Sequence, residues 1–321
     1  MAILVDYIIS DVRKNTDNEE YNDTVGFADE EIVRFINDGR NRLHARIIAQ
    51  HDSAFVEEYT VSTTANLEYY TAPFNAFLNN RIQTVEWSPT GLSADYRPLR
   101  KISHKLRSPG LTGDPFEYSI KNTKIYLSPI PTNSTGILRI SYIQAPKMLN
   151  KRRGQIIATS QCSDSLSAPT FININYVDAT NDPTEMARET RFSVVDKYGN
   201  IKMSNVLLSS IGAAGTTADA TTYEAQLVID SSTSFNSGDV IAQGYYIVPG
   251  KWSSSHIDEP ENIIRYIRTH AEVEVLLRDS SQDAKDYTEL LATMEQDIIA
   301  SFADKSDDID FIPEINEDWT P

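Results

Sequence analysis

The chain has 321 residues, of which 40% are apolar, so it can bury more than one hydrophobic core. Its 29 Lys and Arg stand against 46 Asp and Glu, and the net charge of −17 opposes wrapping of nucleic acid around the outside while suiting a passage through which DNA slides without sticking. The single cysteine, Cys162, excludes an internal disulfide framework and a thiolate metal cage.

The amino-terminal MAILVDYIISDVRK has no basic region ahead of its apolar residues, and no apolar run reaches membrane-spanning length, so a reducing cytoplasm is the expected setting. Ile3, Leu4, Tyr7, Ile8 and Val12 predict a short amphipathic helix. A polar stretch joins it to a long helix over residues 27–51, and the pair reads as a helical hairpin. In the long helix Asp29 is the expected N-cap, with Glu30 and Glu31 against the positive end of the dipole. Ile32, Phe35, Ile36, Gly39, Leu43 and Ile47 recur at steps of three and four and mark its buried face. Arg34, Asp38, Arg42 and Arg46 fall elsewhere. Gly39 on the apolar side predicts close approach of another helix.

After His51 the period changes to two. Tyr59 and Val61 alternate with polar residues as in a half-buried strand, and further strands are predicted at 67–70, 82–87, 96–99, 116–120, 124–127 and 137–142. Leu138, Ile140 and Tyr142 face inward, and the whole reads as one antiparallel sheet of modest size.

Composition shifts after Lys151-Arg152-Arg153-Gly154 to a segment rich in Ser, Thr, Ala and Asn. Strand patterns at 172–176, 192–195, 201–208, 227–229 and 240–248 make it a second β domain; a helical turn is expected at 183–187 and a mobile loop at 212–222. Helices return at Asp258, where Asp258 and Glu261 have capping-box spacing and Pro260 sits in the first turn. Ile264, Ile267, Ala271 and Val275 mark one helix; Ala284, Tyr287, Leu291, Met294, Ile298 and Phe302 form the seam of another. Residues 304–321 are an acidic tail in which Phe311, Ile312, Ile315 and Trp319 are spaced as anchors for a partner.

The expected fold is therefore α+β: a helical bundle of the N-terminal hairpin and the C-terminal helices, a projecting antiparallel β unit, and an inserted second β domain. The corresponding divisions are residues 1–153 with 256–303, residues 154–255, and the docking tail 304–321.

No pattern carries catalysis, a cofactor or a metal. His44, His51, His104, His256 and His270 lack ligand spacing, and His44 and His51 read as solvated residues on the long helix. Cys162 has no neighbouring activating base. The acidic stretches 178–185 and 304–310 do not match a calcium loop. Two basic clusters stand out: Arg97, Arg100, Lys101, Lys105 and Arg107, then Lys147, Lys151, Arg152 and Arg153. Each is either a solvated face or an interface to an acidic neighbour.

The helix ADEEIVRFINDGRNRL, the strand EEYTVS, the segment RIQTVEW, the stretch GDPFEYSIKNTKIYLSPIPTNSTGILRISYIQAPKML and the later DEPENIIRYIRTHAEVEVLLRD resemble, in pattern and order, the head-to-tail connector (adaptor) proteins of tailed bacteriophages. The resemblance covers about residues 1–150 and 256–303. It implies a non-enzymatic virion protein of the head-tail neck, assembled in the host cytoplasm. In that family a ring, here expected to be dodecameric, sits below the portal protein, extends the double-stranded DNA channel and docks the tail or further neck proteins. Portal-facing and tail-facing residues do not carry over from the family one by one; from their charge and spacing, Arg97, Arg100, Lys101, Lys105, Arg107, Phe311, Ile312, Ile315 and Trp319 are the candidates for contact with the portal or a neighbour. The segment 154–255 departs from the family pattern. An alternative role is a carbohydrate- or receptor-binding module in which Tyr245, Tyr246 and Trp252 stack on the ligand; an enzyme such as a metal-dependent hydrolase ranks third.

Overall fold

The computed structural model describes residues 3–17, 26–51, 53–73, 75–76, 82–108, 110–159, 170–177, 191–216, 222–233, 241–279 and 284–306. Cys162, the acidic stretch 178–185, the expected turn at 183–187 and the anchors Phe311, Ile312, Ile315 and Trp319 lie outside them. Residues 1–43 and 147–300 form one compact unit; 44–146 and 301–321 form another. The described residues form four α-helices: α1 (Val5–Asn15), α2 (Asp29–Gln50), α3 (Glu261–Arg278) and α4 (Ala284–Ser306).

In the first unit, α1 packs against α3. Val5, Ile8, Ile9 and Val12 are its buried stripe, whereas Tyr7, expected to be buried, is 66% exposed. Ile3 and Leu4 leave the helix to pair with Ile257 and His256, since an extended dipeptide at this point satisfies two backbone groups that a longer helix would leave open. Asn15 Nδ2 donates to Glu272 Oε1 at 2.6 Å, and Arg268 pairs with Asp11 at 3.2 Å. On α2 the expected stripe of Ile32, Phe35, Ile36 and Leu43 is buried. A Cβ built on Gly39 would lie 2.7 Å from the His270 ring of α3, so glycine is what lets these two helices come together. The α2 start differs from expectation. Ala28 O accepts from Glu31 N and Ile32 N, so Asp29 is already inside the first turn and its carboxylate is free for other partners. For α3, Pro260 is the N-cap residue and no side-chain cap forms, so the Asp258/Glu261 box is not made.

The same unit holds a closed six-stranded barrel. Its strands are β9 (Gly154–Thr159), β10 (Phe171–Tyr176), β11 (Arg191–Val195), β12 (Ile201–Gly212), β13 (Ala225–Ile229) and β14 (Tyr246–Pro249). They run β9-β10-β13-β12-β11-β14, with β14 returning to β9, all antiparallel. Ile156, Ile172, Ile174, Phe192, Val194, Met203, Val206, Leu227 and Ile247 fill it. Closure removes the edges of this sheet, which suits a segment in which five of the six strands have only four to six residues. The strand β9 has no clear alternation and was not legible in the sequence. Chain entry and exit meet: Asn150 N donates to Ser254 O at 3.0 Å, and Met148–Leu149 pairs in parallel with Ser253–Ser254.

In the second unit the expected single sheet is two. Their strands are β1 (Val56–Ser62), β2 (Tyr69–Thr71), β3 (Ile82–Ser88), β4 (Arg97–Pro98), β5 (Arg100–Lys101), β6 (Glu117–Lys121), β7 (Lys124–Ser128) and β8 (Ile137–Ile143). The sheet orders are β1-β8-β3-β4 and β2-β7-β6-β5, and β5 runs parallel to β6. One core joins them: Val85, Trp87, Leu138, Ile140 and Tyr142 from the first sheet, Tyr70, Tyr118, Ile125 and Leu127 from the second. The split occurs at Pro98, which has no N–H to extend a ladder. Leu99 N donates to Val85 O of one sheet, and the next residue, Arg100 N, to Phe116 O at the other. The strand β1 is also less buried than its alternation predicts. As an edge strand it overhangs the core, and only Val61 packs on it.

Candidate functional site

Among the described residues no group of three or more His, Cys, Asp or Glu is placed to hold a metal ion, and no helix is long and apolar enough to cross a membrane. What the sequence singled out as sites are charged surfaces, and the structure separates them into two kinds.

The first cluster runs along the seam of the two sheets in the second unit. Arg97 lies on β4, Arg100 and Lys101 on β5, Lys105 in a short 3-10 turn over His104–Leu106, and Arg107 just after it. Arg107 is mostly structural: it pairs with Glu68, and its guanidinium sits 4.8 Å from the centre of the Tyr126 ring. Beside it, His104 Nδ1 and Ser119 Oγ share a hydrogen bond at 3.1 Å, which fixes the turn. Arg100 pairs with Glu117 but remains exposed. Arg97, Lys101 and Lys105 are exposed and make no ion pair among the described residues. Leu106, 76% exposed, adds an apolar side chain to this strip.

The second cluster is turned largely toward groups of the chain itself. Lys151 Nζ is 2.7 Å from Asp29 Oδ2, and Arg13 holds the other oxygen of that carboxylate at 2.6 Å. Arg153 pairs with Glu30 at 3.1 Å. Burial works against the charge on Asp29, but the hydrogen bonds from Lys151 and Arg13 outweigh it and hold the carboxyl below its ordinary pKa. Burial likewise disfavours the Lys151 cation, and the bond to Asp29 reverses this and raises its pKa. Arg152 reaches Ser255 Oγ at 3.2 Å and Lys197 O at 2.9 Å, and lies 4.0 Å over the Tyr246 ring. Lys147 contributes its carbonyl, which accepts from Arg40. The segment 147–153 is thus a strap along α2. Asn37 clamps it through paired bonds to the Leu149 backbone, both 2.8 Å, and Arg40 joins it to Glu259.

Sequence reasoning missed Arg40 and Asn37 because each lies one step off the apolar stripe, where a polar residue ordinarily meets water. Arg40 is 9% exposed. His44 is also buried, its ring stacked on Phe55 at 4.3 Å, and so is not the solvated residue expected. The proposed aromatic platform does not form as an open face: Tyr245 packs on the barrel core, Tyr246 lies beneath Arg152, and Trp252 is half-buried.

A family model described as SU10 adaptor protein matches residues 6–173. The match takes in α1, α2, both sheets of the second unit and the first barrel strand. No curated protein matches the chain.

Proposed function

Because this chain belongs to the SU10 adaptor protein family, and is thereby a structural adaptor of a phage particle, we propose that it forms a ring below the portal protein, extends the DNA channel and offers the tail its docking surface. The observation that carries this reading is the strip at the sheet seam, where Arg97, Lys101 and Lys105 are exposed and make no ion pair among the described residues of a protein of net charge −17. A strip of exposed cations on an acidic chain is a surface suited to an acidic neighbour, because complementary charge steers encounter and fixes register. The net charge also favours passage of double-stranded DNA without retention, since phosphate contacts supply most non-specific affinity. No catalytic step enters the proposal; the chain acts by shape and by its contacts.

Mixing the purified full chain with portal rings tests it. A single closed complex by native mass measurement, carrying many copies of the chain per portal, is the expected result. Absence of any complex with the portal, or binding of only one copy, would overturn it.

A further inference from the structure

In the second unit the free edge of the sheet β1-β8-β3-β4 is acidic, and the seam where that sheet meets the sheet β2-β7-β6-β5 is basic. In the order β1-β8-β3-β4, the strand β1 is one edge and β4 the other. Along β1 all seven residues pair with β8 on a single side, and Val56 to Thr60 are exposed although they alternate between faces. Among the described residues, neither face of this half of the strand is fully covered. Glu57 and Glu58 stand on it and make no ion pair among the described residues. Val56 and Tyr59 beside them are 37% and 39% exposed.

The seam is the complement: Arg97 lies on β4, Lys101 on β5 of the other sheet and Lys105 in the short turn that follows it. Residues 97–107 hold five Lys or Arg and no acid, and Arg97, Lys101 and Lys105 make no ion pair among the described residues. Edge strands that must stay alone are usually short or carry Pro or Lys. That describes β4, with two residues and Pro98, but not β1, which has seven residues and neither. Glutamates on β1 refuse an identical β1, so a symmetric edge-to-edge pair is disfavoured while a basic partner is welcomed.

We propose that the acidic β1 margin of one copy docks on the basic 97–105 strip of the next copy, head to tail. A contact between two different patches repeats around an axis and, where the rotation closes, makes a ring. Val56 and Tyr59 supply the apolar part of the contact; Tyr59 also offers its ring face to a cation of the strip. Because β4 ends at Pro98, the join depends on side chains and charge more than on a continued backbone ladder. The inference rests on the ring reading above and names the surfaces that build the ring.

Two full-length variants test it, Glu57→Lys/Glu58→Lys and Arg97→Glu/Lys101→Glu/Lys105→Glu, with circular dichroism to verify that each folds. Sedimentation should show a closed oligomer for the unmodified chain and self-association weakened roughly tenfold or more in each variant. An equal mixture of the two should assemble again, because every junction in an alternating ring then joins opposite charges. Rescue by mixing also excludes misfolding as the cause of the loss. If the acidic-margin variant assembles as the unmodified chain does while the basic-strip variant fails, the strip serves another partner, such as the acidic tail, and the proposal falls. Failure of the mixture to assemble overturns it as well. If both variants assemble normally, the edge contact is rejected and the ring reading stands. If the unmodified chain forms no oligomer alone, the same variants are compared on portal rings; if none forms there either, the ring reading falls and this contact with it.

Discussion

At Gly39 the α2 backbone lies so close to the His270 ring that a methyl group has no room. Gly39→Ala would gain about 1 kcal/mol of helix propensity in an open helix. Here the clash with a ring held between two helices costs about 1–3 kcal/mol and decides the sign. The variant should melt lower, and a rise in melting temperature would show that α2 and α3 are further apart than described. The same ring makes stability pH-dependent. Burial pushes the pKa of His270 below the ordinary value, and burial together with the Arg152 charge does the same to His256. The folded state therefore binds fewer protons than the unfolded chain once pH falls to about 6.5, so stability present at neutral pH is lost on acidification through that value. Burial raises the pKa of Glu272 and works the opposite way further into acid. A thermal midpoint that declines from pH ~7 to pH ~5.5 is expected, and a flat profile would contradict the buried, neutral histidines.

Elements were legible wherever one face of a regular element is apolar. The stripe of α2 and the inward set Leu138, Ile140 and Tyr142 follow from spacing alone, because burial there needs only a consistent period. The strap 147–153 was not legible: Lys151, Arg152 and Arg153 look like a solvated cluster until the fold brings Asp29, Glu30 and Lys197 to them. Long-range ion pairs leave no local pattern. Nor does a sheet switch, which turns on the missing N–H of Pro98. The barrel enters and leaves at one point, with Asn150 bonded to Ser254, so we propose that it is separable. Replacing residues 155–251 with a short Gly/Ser linker should retain the helical circular dichroism of the chain; an insoluble product without helical signal would show that the barrel is needed for the helices to fold. For the tail, where Phe311, Ile312, Ile315 and Trp319 are interspersed with acids in the sequence, docking on another neck component is the proposal. Deleting 307–321 should leave the melting temperature unchanged and weaken incorporation into particles, and normal incorporation would reject it.

For the whole molecule, the family match and the placement of charge bear on the same question. The matched segment 6–173 includes both margins of the β1-β8-β3-β4 sheet, so the surfaces proposed to join copies belong to the part shared with the family. Most of the barrel lies beyond the match, and it is the part whose role the family does not supply. In the ring proposed above, a wall of such acidic copies, each tied internally by Arg40, Lys151 and Arg153, would hold its shape while repelling DNA. A density map of the neck of the assembled phage particle tests this account most directly. It predicts a closed ring of this chain between portal and tail, with the Glu57 and Glu58 margin of each copy facing the Arg97–Lys105 strip of the next. A neck built without this chain, or copies of it found elsewhere in the particle, would contradict it.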